Sequence, residues 1–251
     1  MKRILILIML TCLIFSNCNR RDGEYKTSLL SYFVDISDDE DAGVKDVLGF
    51  FGGKCEYSIG MSVLTGEKSK KYFELRLFDS EAIEHFTNNP KFAASNIAYR
   101  FYRNLNKEKR NEYTHINPII VFSDGSEKKF EFSTWELEVV DKRVPFLNKV
   151  VDIIRENKYD DLLPLLNDRR VVEYDKNELI ENLKKADPQF GNVTDEGFRI
   201  FGYKIDALDN KGNDYLYLSG AIIRDIQSNE FSLIIDPYSD KEEIFYMEYK
   251  M

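Results

Sequence analysis

The fold is decided by the segment FRIFGYKIDALDNKGNDYLYLSGAIIRDI, which spans residues 198–226. Apolar and polar residues alternate through residues 198–208 and again through residues 215–226, and this two-residue period is typical of half-buried antiparallel strands. Two more strand-like segments follow, at residues 230–236 and 243–250, with polar turn residues before each. The sequence therefore predicts a long antiparallel meander at the end of the chain.

Helical patterns precede this meander. Apolar residues recur at helical spacing over residues 146–154, and Pro145 directly before them suits the first turn of a helix. A leucine-rich segment follows residues 157–160, and residues 177–185 have the pattern of a further helix. Helices in front of an antiparallel meander indicate the α+β class.

The first half of the chain mixes the same two patterns. An amphipathic helix is predicted over residues 44–51, where Gly52 and Gly53 end it, and a hairpin is predicted over residues 57–77. Helical spacing then runs from residue 80 to residue 105, with an interruption at Asn88-Asn89-Pro90, where Pro90 suits the start of a second helix. This half is therefore also expected to be α+β.

A second hairpin is predicted after these helices, with strands at residues 119–122 and 130–140 and an Asp-Gly turn between them. The apolar parity changes within the second strand, and a bulge near Ser133 and Thr134 would account for the change. This strand would end the first half of the chain.

A charged junction at residues 141–144 separates the two halves, and we expect a domain boundary there. The first small α+β domain would cover residues 26–143, and the second would cover residues 144–251. A length of 251 residues fits two domains of modest size.

The second half contains the step Asn157-Lys158-Tyr159-Asp160 after its first helix, then a shorter helix and the meander. This order resembles the NTF2-like (nuclear transport factor 2-like) superfamily, and residues 150–167 are similar to the opening of small exported NTF2-like domains. The resemblance covers residues 145–251. It implies a cone in which helices pack into a curved antiparallel sheet around a pocket.

Such a cone would take its pocket chemistry from the inward side chains of the sheet. On the resemblance, the candidate ligand-binding residues are Phe201, Tyr203, Tyr215 and Tyr217, because tyrosines give an apolar wall with polar tips. Enzymes of the superfamily usually place Asp and His in the cavity, and the sequence after Pro145 contains no histidine. The resemblance thus favours binding over catalysis, with core packing of the same aromatic side chains as the alternative.

The N-terminal residues 1–17 combine Lys2 and Arg3 with an apolar run that is too short to span a bilayer, which is typical of a secretory signal. The stretch Ile14-Phe15-Ser16-Asn17-Cys18, at the end of this segment, resembles the lipobox of bacterial lipoproteins. The resemblance implies lipidation of Cys18, a tether over residues 18–25 and attachment to the bacterial cell envelope, on its periplasmic or cell-surface face. Acylation of Cys12, or an unmodified Cys18, are the alternatives.

The formal net charge of −9 opposes binding to phosphate backbones, so nucleic acid is not an expected partner. Removal of residues 1–17 would take away Lys2 and Arg3 and make the balance more negative. The expected partners are the membrane, through the N-terminal lipid, and an unknown small molecule or protein. Homodimerisation through the curved sheet is a further interpretation.

Few residues are available for catalysis or for metal binding. The chain has only two histidines, His85 and His115, and it has neither a Cys-x-x-Cys pair nor a Gly-x-Ser-x-Gly elbow. We therefore expect no metal site, no cofactor and no catalytic constellation. The enzymatic alternative is a hydrolase that uses carboxylates alone, drawn from Glu56, Glu74 and Asp79, acting on a cell-envelope or exogenous substrate.

Three local patterns have simple structural interpretations. Cys55 is expected to be a buried core thiol rather than a reactive one. The acidic residues 35–41 lack the glycine and the final glutamate of a calcium loop, so they are expected to form a solvated loop that caps the next helix electrostatically, with calcium binding as the alternative. The basic and aromatic cluster over residues 99–110 is expected to form a solvated helix face, and membrane contact is its alternative.

Overall fold

The computed structural model describes residues 36–62, 69–168, 175–207 and 212–250. Within these ranges the chain is α+β, with one mixed sheet and one antiparallel sheet. None of the described helices is both long and apolar enough to cross a membrane. The predicted signal, Cys18 and the tether lie outside the described residues.

The first sheet has the strand order β1-β2-β3-β4, with β5 also paired to β3. β1 and β2 form the predicted antiparallel hairpin, but β2 and β3 run parallel, so a crossover must connect them. Three helices form that crossover: α2, α3 and α4. The bounds are β1 Lys54–Ser62, β2 Lys70–Phe78, α2 Glu81–Glu84, α3 Pro90–Asn104, α4 Lys107–Glu112, β3 His115–Val121, β4 Glu127–Lys129 and β5 Phe132–Ser133.

The first described helix, α1 (Asp38–Phe51), is longer than predicted because its acidic first turn is capped. The hydroxyl of Ser37 accepts from the backbone N–H of Glu40, and the Glu40 carboxylate accepts from the Ser37 N–H at 2.6 Å, which is a capping box. The helix ends at Gly52, where φ is 65°. The prediction that glycine ends the helix is confirmed. The acidic residues 38–41 were expected in a solvated loop before the helix, but they form its first turn, where their charge still suits the N-terminal end of the helix.

The strand predicted over residues 130–140 is wrong, because residue 134 begins a long helix, α5 (Thr134–Arg155). Ser133 is its N-cap, and the Ser133 hydroxyl accepts from the backbone N–H of Glu136 at 3.1 Å. The change in apolar parity thus marks a switch from strand to helix, not a bulge. The prediction of a helix start at Pro145 is wrong as well, since Pro145 lies inside α5 and removes one of its hydrogen bonds.

The predicted domain junction, residues 141–144, lies within α5, so a single helix joins the two halves. One cluster of buried apolar side chains also draws on both halves; Phe73 and Phe101 belong to it, and so do Leu147 and Leu218. Any division at this junction would cut through that helix and that core. The two-domain division itself stays a prediction.

The second sheet is the predicted meander, with the order β6-β7-β8-β9 and antiparallel pairing throughout. A 3₁₀-helix (Tyr159–Leu165) and helix α6 (Lys176–Ala186) come before it, close to their predicted positions. The strands are β6 Val193–Ala207, β7 Asp214–Arg224, β8 Asn229–Ile235 and β9 Ile244–Tyr249.

The two faces of this sheet have different surroundings. On the inner face, Tyr203, Leu218 and Leu233 are register neighbours and belong to the common core that also contains apolar residues of α5. On the outer face, Lys204, Tyr217 and Ile234 are neighbours in the same three strands. We use the terms inner face and outer face for these two sides below.

Helix α3 lies along the free edge of β6 and bonds to its backbone. The Ser95 hydroxyl accepts from the N–H of Tyr203 at 2.9 Å, and the Asn96 amide donates to the carbonyl of Ile200 at 3.2 Å. A Cβ atom on Gly202 would lie 2.5 Å from the carbonyl oxygen of Phe92, so only glycine permits this approach. These contacts bring residues 85–92 beside the outer face.

Candidate functional site

An open groove of about 620 Å³ lies where residues 85–92 meet the outer face of the second sheet. Five aromatic side chains line it; Phe86 and Phe92 come from the first half of the chain, and Phe201, Tyr215 and Tyr217 come from β6 and β7. The remaining lining residues are His85, Asn89, Lys204, Asp206, Ser219, Glu230, Ile234 and Lys250. The groove is thus built jointly by both halves of the chain.

Three of the four aromatic residues predicted from the sequence line this groove, and Tyr203 does not. The pairing of β6 with β7 shifts register between Ile200 and Gly202, so Phe201 is an inserted residue of a β-bulge. The insertion reverses the facing of the residues after it and turns Tyr203 to the inner face, where it is 2% exposed. The prediction that Tyr203 shares a face with Tyr215 and Tyr217 is therefore wrong.

The predicted location of the pocket, between helices and sheet, is also corrected. On that side Leu218, Phe231 and Leu233 are fully buried among the apolar side chains of the core. The groove instead opens on the face that points away from this core. Phe201, Tyr215 and Tyr217, which were predicted to point into a cone, thus line a groove on the outer face of the sheet.

The Tyr217 ring is held in place from two sides. Its hydroxyl lies 3.0 Å from the Ser232 hydroxyl, which is hydrogen-bonded in turn to Ser219 at 2.9 Å. On the other side, the ring centroid lies 6.4 Å from that of Phe92. A side chain restrained in this way loses little rotamer freedom when a ligand packs on it.

The charged side chains of the groove differ in how far they are neutralised. Lys250 forms an ion pair with Glu230 at 2.5 Å. Lys204 is half-buried and has no ion pair or hydrogen bond with any residue in the described ranges. Asp206 is two residues along β6 on the same face and is exposed to solvent. Lys204 is therefore the half-buried cation of the groove that has no partner within the described part of the chain.

Sequence reasoning missed the contribution of His85, Phe86, Asn89 and Phe92 to this site. A Pro-containing break after residue 87 did indicate a turn between helices. Nothing in the local pattern shows that this turn packs against a strand more than 100 residues away, because tertiary contacts of α3 with β6 decide it.

The two histidines do not come together as metal ligands. His85 lines the groove, whereas His115 begins β3 and lies 3.0 Å from the Thr114 hydroxyl. Among the residues that the structure describes, no group of three or more His, Cys, Asp or Glu side chains is placed to hold a metal ion.

The carboxylates of the enzymatic alternative are spread over the first sheet and are engaged with neighbours. Glu56 faces Arg76 across the hairpin at 3.5 Å, and Asp79 forms an ion pair with Lys54 at 2.7 Å. Glu74 accepts a hydrogen bond from Ser58 at 3.5 Å. Strand pairing places Glu56 and Arg76 opposite each other, as expected for outward salt bridges.

The basic cluster over residues 99–110 is partly buried and partly charged, as expected for a helix face. Arg100 and Arg103 both bind the carboxylate of Asp46, at 2.7 and 2.8 Å. Arg110 binds Asp141 at 2.7 Å. These arginines therefore join α3 and α4 to neighbouring helices.

Cys55 is fully buried at the start of β1, which confirms the core interpretation of this thiol. Burial, assisted by the nearby charge of Glu56, raises the pKa of the Cys55 thiol to about 12. Because the thiolate is the reactive form, this cysteine is inert while the protein is folded.

A separate polar cluster, which is mostly buried, links the meander to the segment after α6. Asp187 and Arg224 form an ion pair, and the hydroxyls of Tyr159 and Tyr249 donate to the Asp187 carboxylate at 2.7 and 2.6 Å. Arg224 also donates to the Gly191 carbonyl at 2.7 Å. Burial and these bonds to Asp187 raise the pKa of both tyrosines.

The groove offers flat apolar walls, an internally bonded set of hydroxyls and Lys204, which has no partner among the residues that the structure describes. Such a combination can hold the body of a small molecule by its faces and orient it through one charged group. Comparison of the chain with protein-family models, with curated proteins and with solved structures gave no match.

Proposed function

We propose that the protein is an exported, lipid-anchored binding protein of the bacterial cell envelope and that the groove on the outer face binds a small molecule with a flat apolar body. The proposal rests on one observation: five aromatic side chains, contributed by both halves of the chain, line the groove. The volume of about 620 Å³ also lies within the range of small-molecule sites, roughly 300–1,000 Å³.

The proposal includes an NTF2-like arrangement for the second half. Its support is the order of elements, with the second part of α5, a 3₁₀-helix and α6 placed before a four-stranded antiparallel meander. In this proposal, side chains of the apolar core fill the inside of the cone, and the ligand binds on the outer face of the sheet instead. Catalysis by Glu56, Glu74 and Asp79 is not proposed, because each carboxylate is already engaged with a neighbouring side chain.

Removal of one aromatic wall tests binding in the groove. We expect Tyr217→Ala to weaken binding of the neutral fluorescent probe N-phenyl-1-naphthylamine by about tenfold, because burial of an aromatic face contributes on the order of 1.5–3 kcal/mol. Fluorescence titration of the full chain measures the effect. Tyr238→Ala is the matched control, since Tyr238 also contacts an aromatic ring, that of Trp135, but lies outside the groove. Failure of the unaltered protein to bind the probe would contradict the proposal.

The proposed lipid anchor is tested at the cysteine itself. We expect Cys18→Ser to move the protein from the membrane fraction to the supernatant of expressing cells, because the thiol that would carry the lipid is absent. Cys12→Ser is the matched control and should leave the protein in the membrane fraction. Immunoblots of the separated fractions give the answer, and release by Cys12→Ser alone would identify Cys12 as the acceptor instead.

A further inference from the structure

We infer that the ligand of this groove is an amphipathic anion, a small molecule whose flat apolar body packs on the aromatic walls and whose carboxylate, sulfonate or phosphate binds Lys204. The inference rests on the proposed function and adds the charge of the ligand. The negative charge of the ligand is inferred from Lys204.

Lys204 projects from β6 on the outer face, directly across from Tyr217. Its side chain is half-buried against the groove, yet no carboxylate of the described residues neutralises it. An ammonium group on the wall of a groove, with no carboxylate of the described residues bonded to it, can donate charge-assisted hydrogen bonds to an anion brought by the ligand. The other lysine of the groove, Lys250, differs because Glu230 already neutralises it.

Asp206 is the group that could favour a cation instead, and its position argues against that role. It is exposed at the end of β6, so water screens its charge. Lys204, in contrast, is half-buried and lines the groove together with aromatic residues, and short-range attraction is stronger at such a position than in open water. The formal net charge of −9 repels anions at long range, so attraction to Lys204 acts once the ligand is seated.

Two probes with the same aromatic rings distinguish the effect of the ligand's charge on binding from the effect of its shape. N-phenyl-1-naphthylamine is neutral, and 1-anilinonaphthalene-8-sulfonate adds a sulfonate to the same rings. We expect Lys204→Met to weaken binding of the sulfonate probe by about tenfold or more, the usual effect of losing a charge-assisted hydrogen bond, and to change binding of the neutral probe less than about twofold. Lys204→Arg should retain binding of the sulfonate probe.

Lys128→Met is the matched control, because Lys128 is an exposed lysine of β4 on the other sheet and its loss removes the same net charge. It should leave both affinities unchanged, and Tyr217→Ala should weaken both. Equal effects of Lys204→Met on the two probes, or no effect on either, would overturn the inferred anion while leaving the binding function in place. Absence of binding of both probes to the unaltered protein would instead overturn the binding function itself.

Discussion

Replacement of Arg224 by methionine is expected to lower the free energy of unfolding by about 3–5 kcal/mol, the usual cost of leaving a buried charge without its partner. The side chains of Arg224 and Asp187 are 1% and 4% exposed, so water cannot replace the lost guanidinium. The substitution also leaves the carbonyl of Gly191 and the amide oxygen of Asn229 without the bonds that Arg224 donates at 2.7 and 3.0 Å. Urea unfolding followed by far-ultraviolet circular dichroism measures the change.

An exposed ion pair serves as the control for this result. The side chains of Lys54 and Asp79 are 49% and 60% exposed, and Lys54→Met should cost no more than about 1 kcal/mol. Adding Asp187→Asn to Arg224→Met should recover part of the loss, because the unpaired carboxylate is then removed. Equal destabilisation by Lys54→Met and Arg224→Met would show that burial does not set the strength of the Asp187 cluster.

The second large effect is expected at Gly43, in the interior of α1. A Cβ atom there would lie 2.7 Å from Cδ2 of Phe101 and 3.0 Å from its carbonyl oxygen, and Phe101 is fully buried. We expect Gly43→Ala to destabilise the protein by about 1–3 kcal/mol, the usual cost of overpacking, although alanine is the better helix former. Thermal unfolding followed by circular dichroism measures it.

Gly49, in the same helix, is the matched control. A Cβ atom at Gly49 meets nothing within 4 Å, so Gly49→Ala should stabilise the protein by about 1 kcal/mol and raise the Tm by about 2–4 °C. The two substitutions are chemically identical and differ only in their surroundings. A gain in stability from both of them would contradict the close approach of α1 to α3.

The parts of the fold that the sequence predicted well are those whose pattern is local. The meander was predicted nearly strand by strand, because two-residue alternation is visible within β6, β7, β8 and β9. The end of α1 followed equally from Gly52. Strand β2 showed the same alternation, but its parallel partner β3 is set by the intervening helices and could not be read from either strand.

The errors in the sequence-based prediction share a cause. At a single residue, either the period of the apolar pattern changes or the side chains switch to the other face of the strand. At Ser133 the apolar spacing changes from two residues to the helical period, and both a bulge and a helix start would produce that shift of parity. At Phe201 a real bulge is present, but alternation alone gives no sign of it, so Tyr203 was assigned to the wrong face. The groove could therefore be predicted only in part. The alternation of the strands indicates which sheet residues share its face, but the position of Phe92 depends on packing between distant parts of the chain.

The bonds from Ser95 and Asn96 to the edge of β6 bear on how the chain can be divided for experiments. A fragment comprising residues 144–251 would lack α3, and the backbone groups of β6 that α3 now satisfies would face solvent. An unpaired edge of this length is a template for strand addition, so the isolated fragment should self-associate in fibrillar or swapped forms. The first half of the chain is thus expected to protect the meander from aggregation.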